Sequence, residues 1–114
     1  MRELLSNRWF HGDIDQRTAE FRLNSQDIDG AFLVRFSSQL GYFTISSLDN
    51  KTVVHRRITC LSGGFTVPCE NKIYSSLSSL ITANSVRYRL KVPCGGSRFA
   101  KLIAQQENYA YLVS

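Results

Sequence analysis

An α+β domain, with a central antiparallel sheet flanked by two helices, is the fold class this sequence predicts. Three strand candidates follow one another closely at residues 31–36, 42–47 and 52–58, and helical apolar spacing recurs before and after them. At 114 residues there is room for one core, because a domain of this size buries roughly two-thirds of the surface its unfolded chain exposes. With 43% hydrophobic and 20% charged residues, the composition is that of a globular domain rather than a disordered chain.

The first helix is predicted from Gln16 to about Leu23. Asp15 is placed to cap it, Ile14 to staple its entry, and Ala19 and Leu23 share its inner face. Turn chemistry from Asn24 to Gly30 leads into Ala31–Phe36, whose nearly continuous apolar run suits a central strand covered on both faces. Tyr42–Ser47 and Thr52–Ile58 then make an antiparallel meander with it, and Gly64–Val67 adds a short fourth strand. Leu77, Leu80 and Ile81 fall at i, i+3 and i+4, so a second helix is expected over Ser76–Ile81. Its serines lower helix propensity, and packing of that face has to hold it. Arg87–Val92 alternates like a further strand. After Gly95-Gly96, residues 97–110 read either as a terminal helix carrying Phe99, Leu102 and Ile103 or as the start of a connection.

No apolar run is long enough to cross a membrane, and the opening Met1–Asp13 turns polar too early for a signal peptide, so a cytoplasmic protein is expected. Cys60, Cys69 and Cys94 cannot all pair within one chain and lack paired zinc-ligand spacing; they read as reduced thiols, with no metal or cofactor expected. A cysteine nucleophile finds no support either. Six residues after Cys60 and Cys69, where a phosphatase loop carries arginine, stand Thr66 and Ser75, and neither a P-loop nor a paired carboxylate site is evident.

The net charge of +5 favours an anionic partner without naming it. Arg35 narrows the choice, because Phe32, Leu33, Val34 and Phe36 place its strand in the interior. A buried guanidinium needs a carboxylate, convergent acceptors or a bound anion. Its strand and the following loop hold no acidic residue, so a distant ion pair and an anion pocket both stay open. Ser37, Ser38 and Gln39 supply donors without negative charge, as a phosphate cradle or an ordinary turn would. By strand periodicity His55 and Arg57 share one face and Arg56 takes the other, so a meander brings His55 and Arg57 toward Arg35.

The ordered residues Trp9-Phe10-His11-Gly12, Gly30-Ala31-Phe32-Leu33-Val34-Arg35-Phe36-Ser37, His55, Gly63-Gly64-Phe65, Tyr74–Ile81 and Val92-Pro93-Cys94 resemble the SH2 family from Trp9 to about Cys94. The resemblance implies a sheet between two helices, a phosphotyrosine pocket on one side and a pocket for the following peptide residues on the other. It divides the chain into a lead at 1–8, a phosphotyrosine-binding domain at 9–94 and an extension at 95–114. Arg35 is implied as the bidentate phosphate clamp, Ser37, Ser38 and Gln39 as the cradle, Thr44 as a neighbour on the next strand, His55 as the residue orienting the pocket, and Arg57 as the second cation, packed along the ligand ring. Gln16 stands where many members carry a second arginine and offers only a neutral hydrogen bond. Phe36 replaces a common glutamate. Arg56 replaces an aromatic residue on the peptide side and is the candidate for specificity, with modest sequence discrimination expected.

The implied function is a phosphotyrosine-dependent adaptor or targeting module without catalysis, its partners tyrosine-phosphorylated proteins or peptides. Two alternatives are a degenerate scaffold of the same fold and a basic nucleic-acid or membrane-binding domain. The latter wants a broad basic track with stacking aromatics, whereas Trp9 and Phe10 are better explained by packing. Tyr109 and Tyr111 offer sites for self-association after phosphorylation.

Overall fold

The computed structural model describes residues 7–68 and 70–97. The expectations for residues 1–6, Cys69, the terminal helix and the Tyr109–Tyr111 pair lie outside the described residues. The elements are β1 (Phe10–Gly12), α1 (Gln16–Gln26), β2 (Ala31–Phe36), β3 (Tyr42–Asp49), β4 (Thr52–Leu61), β5 (Gly64–Thr66), α2 (Leu77–Asn84) and β6 (Val92–Pro93).

Strands β2 to β5 form the expected antiparallel meander. The central antiparallel sheet flanked by two helices is as expected, and two short parallel strands are added at its edge. Both β1 and β6 run parallel to β2 along its outer edge, β1 beside Val34 and Arg35 and β6 beside Ala31 and Phe32. The reason is topological: α1 is the crossover that returns the chain to the starting end of β1, as parallel neighbours require.

α1 starts where Asp15 accepts a hydrogen bond from the Thr18 N–H at 2.8 Å, and it runs one turn further than expected. Asp27 then closes it in the left-handed conformation (φ 50°), its N–H bonded to Leu23 O. Ser76 caps α2 in the same way, accepting from the Ser79 N–H at 3.1 Å. α2 buries Leu77, Leu80, Ile81 and Asn84, so a helix that carries Ser78, Ser79 and Thr82 is held by the packing of its inner face.

The two faces of β2 feed two cores. Leu33 and Ala31 pack with Ala19 and Leu23 of α1, while Phe32 and Val34 pack with Leu77 and Leu80 of α2 and with Trp9 and Phe10. Phe36 adds the apolar contact expected of it, stacking on Phe43 at 5.4 Å and meeting the Phe10 ring edge-on at 5.5 Å.

The expected strand over Arg87–Val92 is not formed; only Val92 and Pro93 pair. Residues 85–89 are turns, with Arg89 at φ 55°, and the N–H groups of Tyr88 and Leu90 are taken by Asn84 O and Ser85 O. The apolar alternation was real, since Tyr88 and Leu90 are both buried. Consecutive turns delivered them to the core instead of a ladder. Gly30 lets the chain end cross here: at φ 88° its missing Cβ would sit 2.8 Å from the Lys91 side chain, whose N–H bonds Gly30 O.

A buried histidine clasps the end of the described chain. His11 is 1% exposed and donates through Nε2 to Cys94 O at 2.9 Å, while its Nδ1 accepts from an Arg22 Nη at 2.7 Å. Ser97 Oγ donates to Phe10 O and Gln26 Oε1 accepts from the Gly95 N–H. Burial depresses the His11 pKa and the Arg22 charge adds to this, against the bond to Cys94. The neutral ring therefore belongs to the fold. Unfolded chains gain a proton below about pH 6.5 that the folded protein resists, so this stability is complete above that pH and is lost as pH falls toward the depressed folded value. The melting temperature is expected to fall on acidification from pH 7 to 5, and His11→Gln should flatten that slope in thermal melts while lowering stability throughout.

Candidate functional site

Register brings the site together. Arg35 of β2, Thr44 of β3 and Arg57 of β4 form one cross-strand row; Leu33, Ser46 and His55 form the next, on the same α1-facing side. Arg35 is buried, at 7% exposure, yet no carboxylate pairs with it: the ion pairs among the described residues are His55–Glu20, Arg87–Glu70 and Arg89–Asp49. The distant ion pair left open by the sequence is thus not formed among the described residues. Burial pulls the Arg35 guanidinium below its ordinary range, opposed by the charges of Asp15 and Glu20. It stays a cation, because arginine remains protonated in proteins.

What Arg35 does have is a hydroxyl. Its Nε–H donates to Ser46 Oγ at 3.3 Å, and that oxygen lies 2.7 Å from His55 Nδ1. His55 Nε2 is in turn 3.4 Å from Glu20 Oε2 on α1. Among the described residues, no hydrogen bond is made to the terminal guanidinium nitrogens, and Arg35 forms part of the wall of a cleft of about 540 Å³.

Gln16, Ser37, Ser38, Thr44, His55, Arg56 and Arg57 line that cleft with Arg35, as do Phe36 and Asp13–Asp15. Gln39 is exposed in the same loop but is not among the lining residues; its N–H donates to Ser37 Oγ at 3.2 Å. The Ser37 N–H is committed to Tyr42 O, so that donor belongs to the hairpin. Arg57 rests over the Tyr42 ring, 4.6 Å from its centroid, a cation–π contact within the protein. Arg56 projects from the opposite face, as its alternation demanded, where it lies 4.4 Å from the Tyr88 ring centre and donates to Ser47 Oγ at 3.2 Å.

Sequence reasoning missed Ser46, Glu20, Tyr42 and the acidic pair Asp13 and Asp15. Ser46 and Tyr42 alternate with Thr44 on one face of β3, and Glu20 follows Gln16 by four residues, so the same periodicities point to three of them. Asp15 was read only as a cap. The Thr18 hydrogen bonds do hold its carboxyl below the usual range, and it also flanks the cleft.

A family profile described as SH2 domain matches residues 9–83. The chain belongs to the SH2 domain family. It is 40% identical over 114 residues to the dual specificity protein kinase shkA of Dictyostelium discoideum, covering 98% of this chain and 21% of that protein. It is 44% identical over 86 residues to shkC of the same organism (74% of this chain, 16% of the relative), and 35% identical over 100 residues to the human tyrosine-protein kinase FRK (82% and 20%). The chain therefore spans about a fifth or less of the length of these relatives. The family profile that this chain matches is the SH2 domain and not a catalytic kinase domain. The fold agrees, with a sheet between two helices, and β6 and the His11 clasp extend it past the matched residues.

Burial pushes the thiols of Cys60 and Cys94 up, away from the nucleophilic thiolate. Among the described residues no group of His, Cys, Asp and Glu could hold a metal ion, and no helix is long and apolar enough to cross a membrane.

Ser46 is fully buried and serves two partners at once, so Ser46→Ala strands the Arg35 Nε–H and His55 Nδ1 together. Losing a buried hydrogen-bond partner costs about 1–3 kcal/mol, and urea denaturation of the variant is expected to show a loss in that range.

Proposed function

We propose that this SH2 domain is a phosphotyrosine-dependent peptide-binding module, residues 9–94, serving as an adaptor or targeting unit. The observation that carries the reading is the buried Arg35 guanidinium, which has no carboxylate partner among the described residues and forms part of the wall of a cleft. A desolvated cation of this kind is compensated best by an anion that enters the cleft, and a planar fork suits two phosphate oxygens.

In this reading Arg35 clamps the phosphate, Ser37, Ser38 and Gln39 close the loop around it, and Thr44 lies beside it in the same row. Gln16 gives a neutral contact. Arg57 supplies the second cation, moving from the Tyr42 ring to the ligand ring or phosphate. A phosphoserine is too short to reach a recessed clamp. Asp13 and Asp15 also line the cleft, and their negative charge moderates affinity for the phosphate.

Arg56 is the residue for peptide preference, toward acidic side chains after the phosphotyrosine. Its tether to Tyr88 and Ser47 already occupies the cation, which keeps that preference modest. Partners are tyrosine-phosphorylated proteins or peptides, and the site works in the cytoplasm.

A randomised phosphotyrosine peptide library is expected to bind where its unphosphorylated form does not, with competition by phosphotyrosine and none by phosphoserine. Removing one member of a buried charge pair costs about 2–5 kcal/mol, so Arg35→Ala should weaken binding at least about thirtyfold. Arg35→Lys keeps the charge but not the fork and should lose about tenfold or more. Unchanged binding by Arg35→Ala in calorimetry would overturn the reading.

A further inference from the structure

Four side chains from four elements form an unbroken hydrogen-bonded line, and for a neutral His55 ring its proton directions follow from which groups can donate. The Arg35 Nε–H can only donate, so Ser46 Oγ accepts there. The Glu20 carboxylate can only accept, so the His55 nitrogen facing it, Nε2, carries the proton. A neutral imidazole has one N–H, which leaves Nδ1 as an acceptor, and the 2.7 Å contact to Ser46 is filled by the serine hydroxyl proton. Every group is then used once: guanidinium to hydroxyl, hydroxyl to imidazole, imidazole to carboxylate.

We propose that Glu20 is a positioning residue for the phosphate clamp, selecting through His55 and Ser46 the one orientation of the Arg35 guanidinium that presents its terminal nitrogens to the cleft. This rests on the phosphate-binding reading and extends it to a residue on α1 that is not among the residues lining the cleft. The physical content lies in the tautomer. Without an acceptor at Nε2 the His55 proton is free to move to Nδ1. Ser46 Oγ then faces two donors, and its own hydroxyl proton must turn into a fully buried site. The hydrogen bond to Arg35 Nε weakens, and the guanidinium gains rotamers that do not address the cleft. The Arg35 side chain has no other hydrogen-bond partner among the described residues, so nothing else in the line replaces that restraint.

Glu20 suits such a role because it can be changed without opening the core: its side chain is 39% exposed, while Ala19 and Leu23 carry the packing of α1. The charge of Glu20 also reaches Arg35 directly. The test must therefore separate charge from positioning.

The decisive experiment compares Glu20→Ala and Glu20→Gln. Long-range nitrogen NMR of the His55 ring reads the tautomer in the free domain, and calorimetry with phenyl phosphate and with the phosphotyrosine peptide library reads the clamp. Thermal melts confirm folding. The natural protein is expected to hold the Nε2–H tautomer. Glu20→Gln, whose Oε1 still accepts, should keep it and retain most of the affinity. Glu20→Ala should populate the Nδ1–H form and bind about threefold to tenfold more weakly.

If Glu20→Ala keeps both tautomer and affinity, or if both variants lose affinity equally with the tautomer unchanged, positioning is overturned in favour of no role or of charge alone. Should the unaltered domain bind neither probe, the phosphate reading fails. The ring spectra of the free domain then still decide whether Glu20 sets the His55 tautomer.

Discussion

A guanidinium held inside a β-sheet and paired with no carboxylate among the described residues is the constraint around which this SH2 domain is organised. Desolvating a cation is costly, and a fold tolerates it only where hydrogen bonds and nearby negative charge make up part of the loss. Here that compensation is partial by construction. Ser46 takes the Nε–H, and Asp15 and Glu20 act at longer range. The terminal nitrogens make no hydrogen bond among the described residues, and Arg35 forms part of the cleft wall. An internal ion pair would stabilise the free domain more simply, and would also close the site.

The rest of the architecture serves to hold that arginine in place. Its strand is central, paired by β3 on one edge and by β1 and β6 on the other, so the backbone at Arg35 has no freedom to relax. α1 covers the same face, buries Leu23 and Ala19 beside Leu33, and from its exposed flank lends Glu20 to His55. The second core, under α2, fixes the opposite face and orients Arg56 away from Arg35 toward Tyr88. The two different faces of the meander thus follow from the two-residue period of its strands.

Much of this was legible in the chain itself. The apolar run at Ala31–Phe36 announced a strand buried on both sides, and the strand runs over those very residues. The caps Asp15 and Ser76 follow from side-chain oxygens placed before amphipathic runs, although only Asp15 was read in advance. Arg87–Val92 shows where such reading fails. Alternating apolar residues require alternating burial, and a succession of turns provides it as well as a strand does. The parallel edge strands escaped for a related reason, since three residues at Phe10–Gly12 are too few to show any period.

What the sequence by itself determined is the inventory: the two helices and the meander between them, the family, and a lone arginine on a strand with no acidic neighbour. Those properties are local in the chain or repeat with a fixed period. Tertiary structure alone decided which groups meet that arginine. Ser46, His55 and Glu20 lie 11, 9 and 35 positions from their partners, and their meeting depends on strand register and on the seat of α1. Register and helix seating are set by packing of both cores at once, a collective outcome that no single stretch of residues encodes.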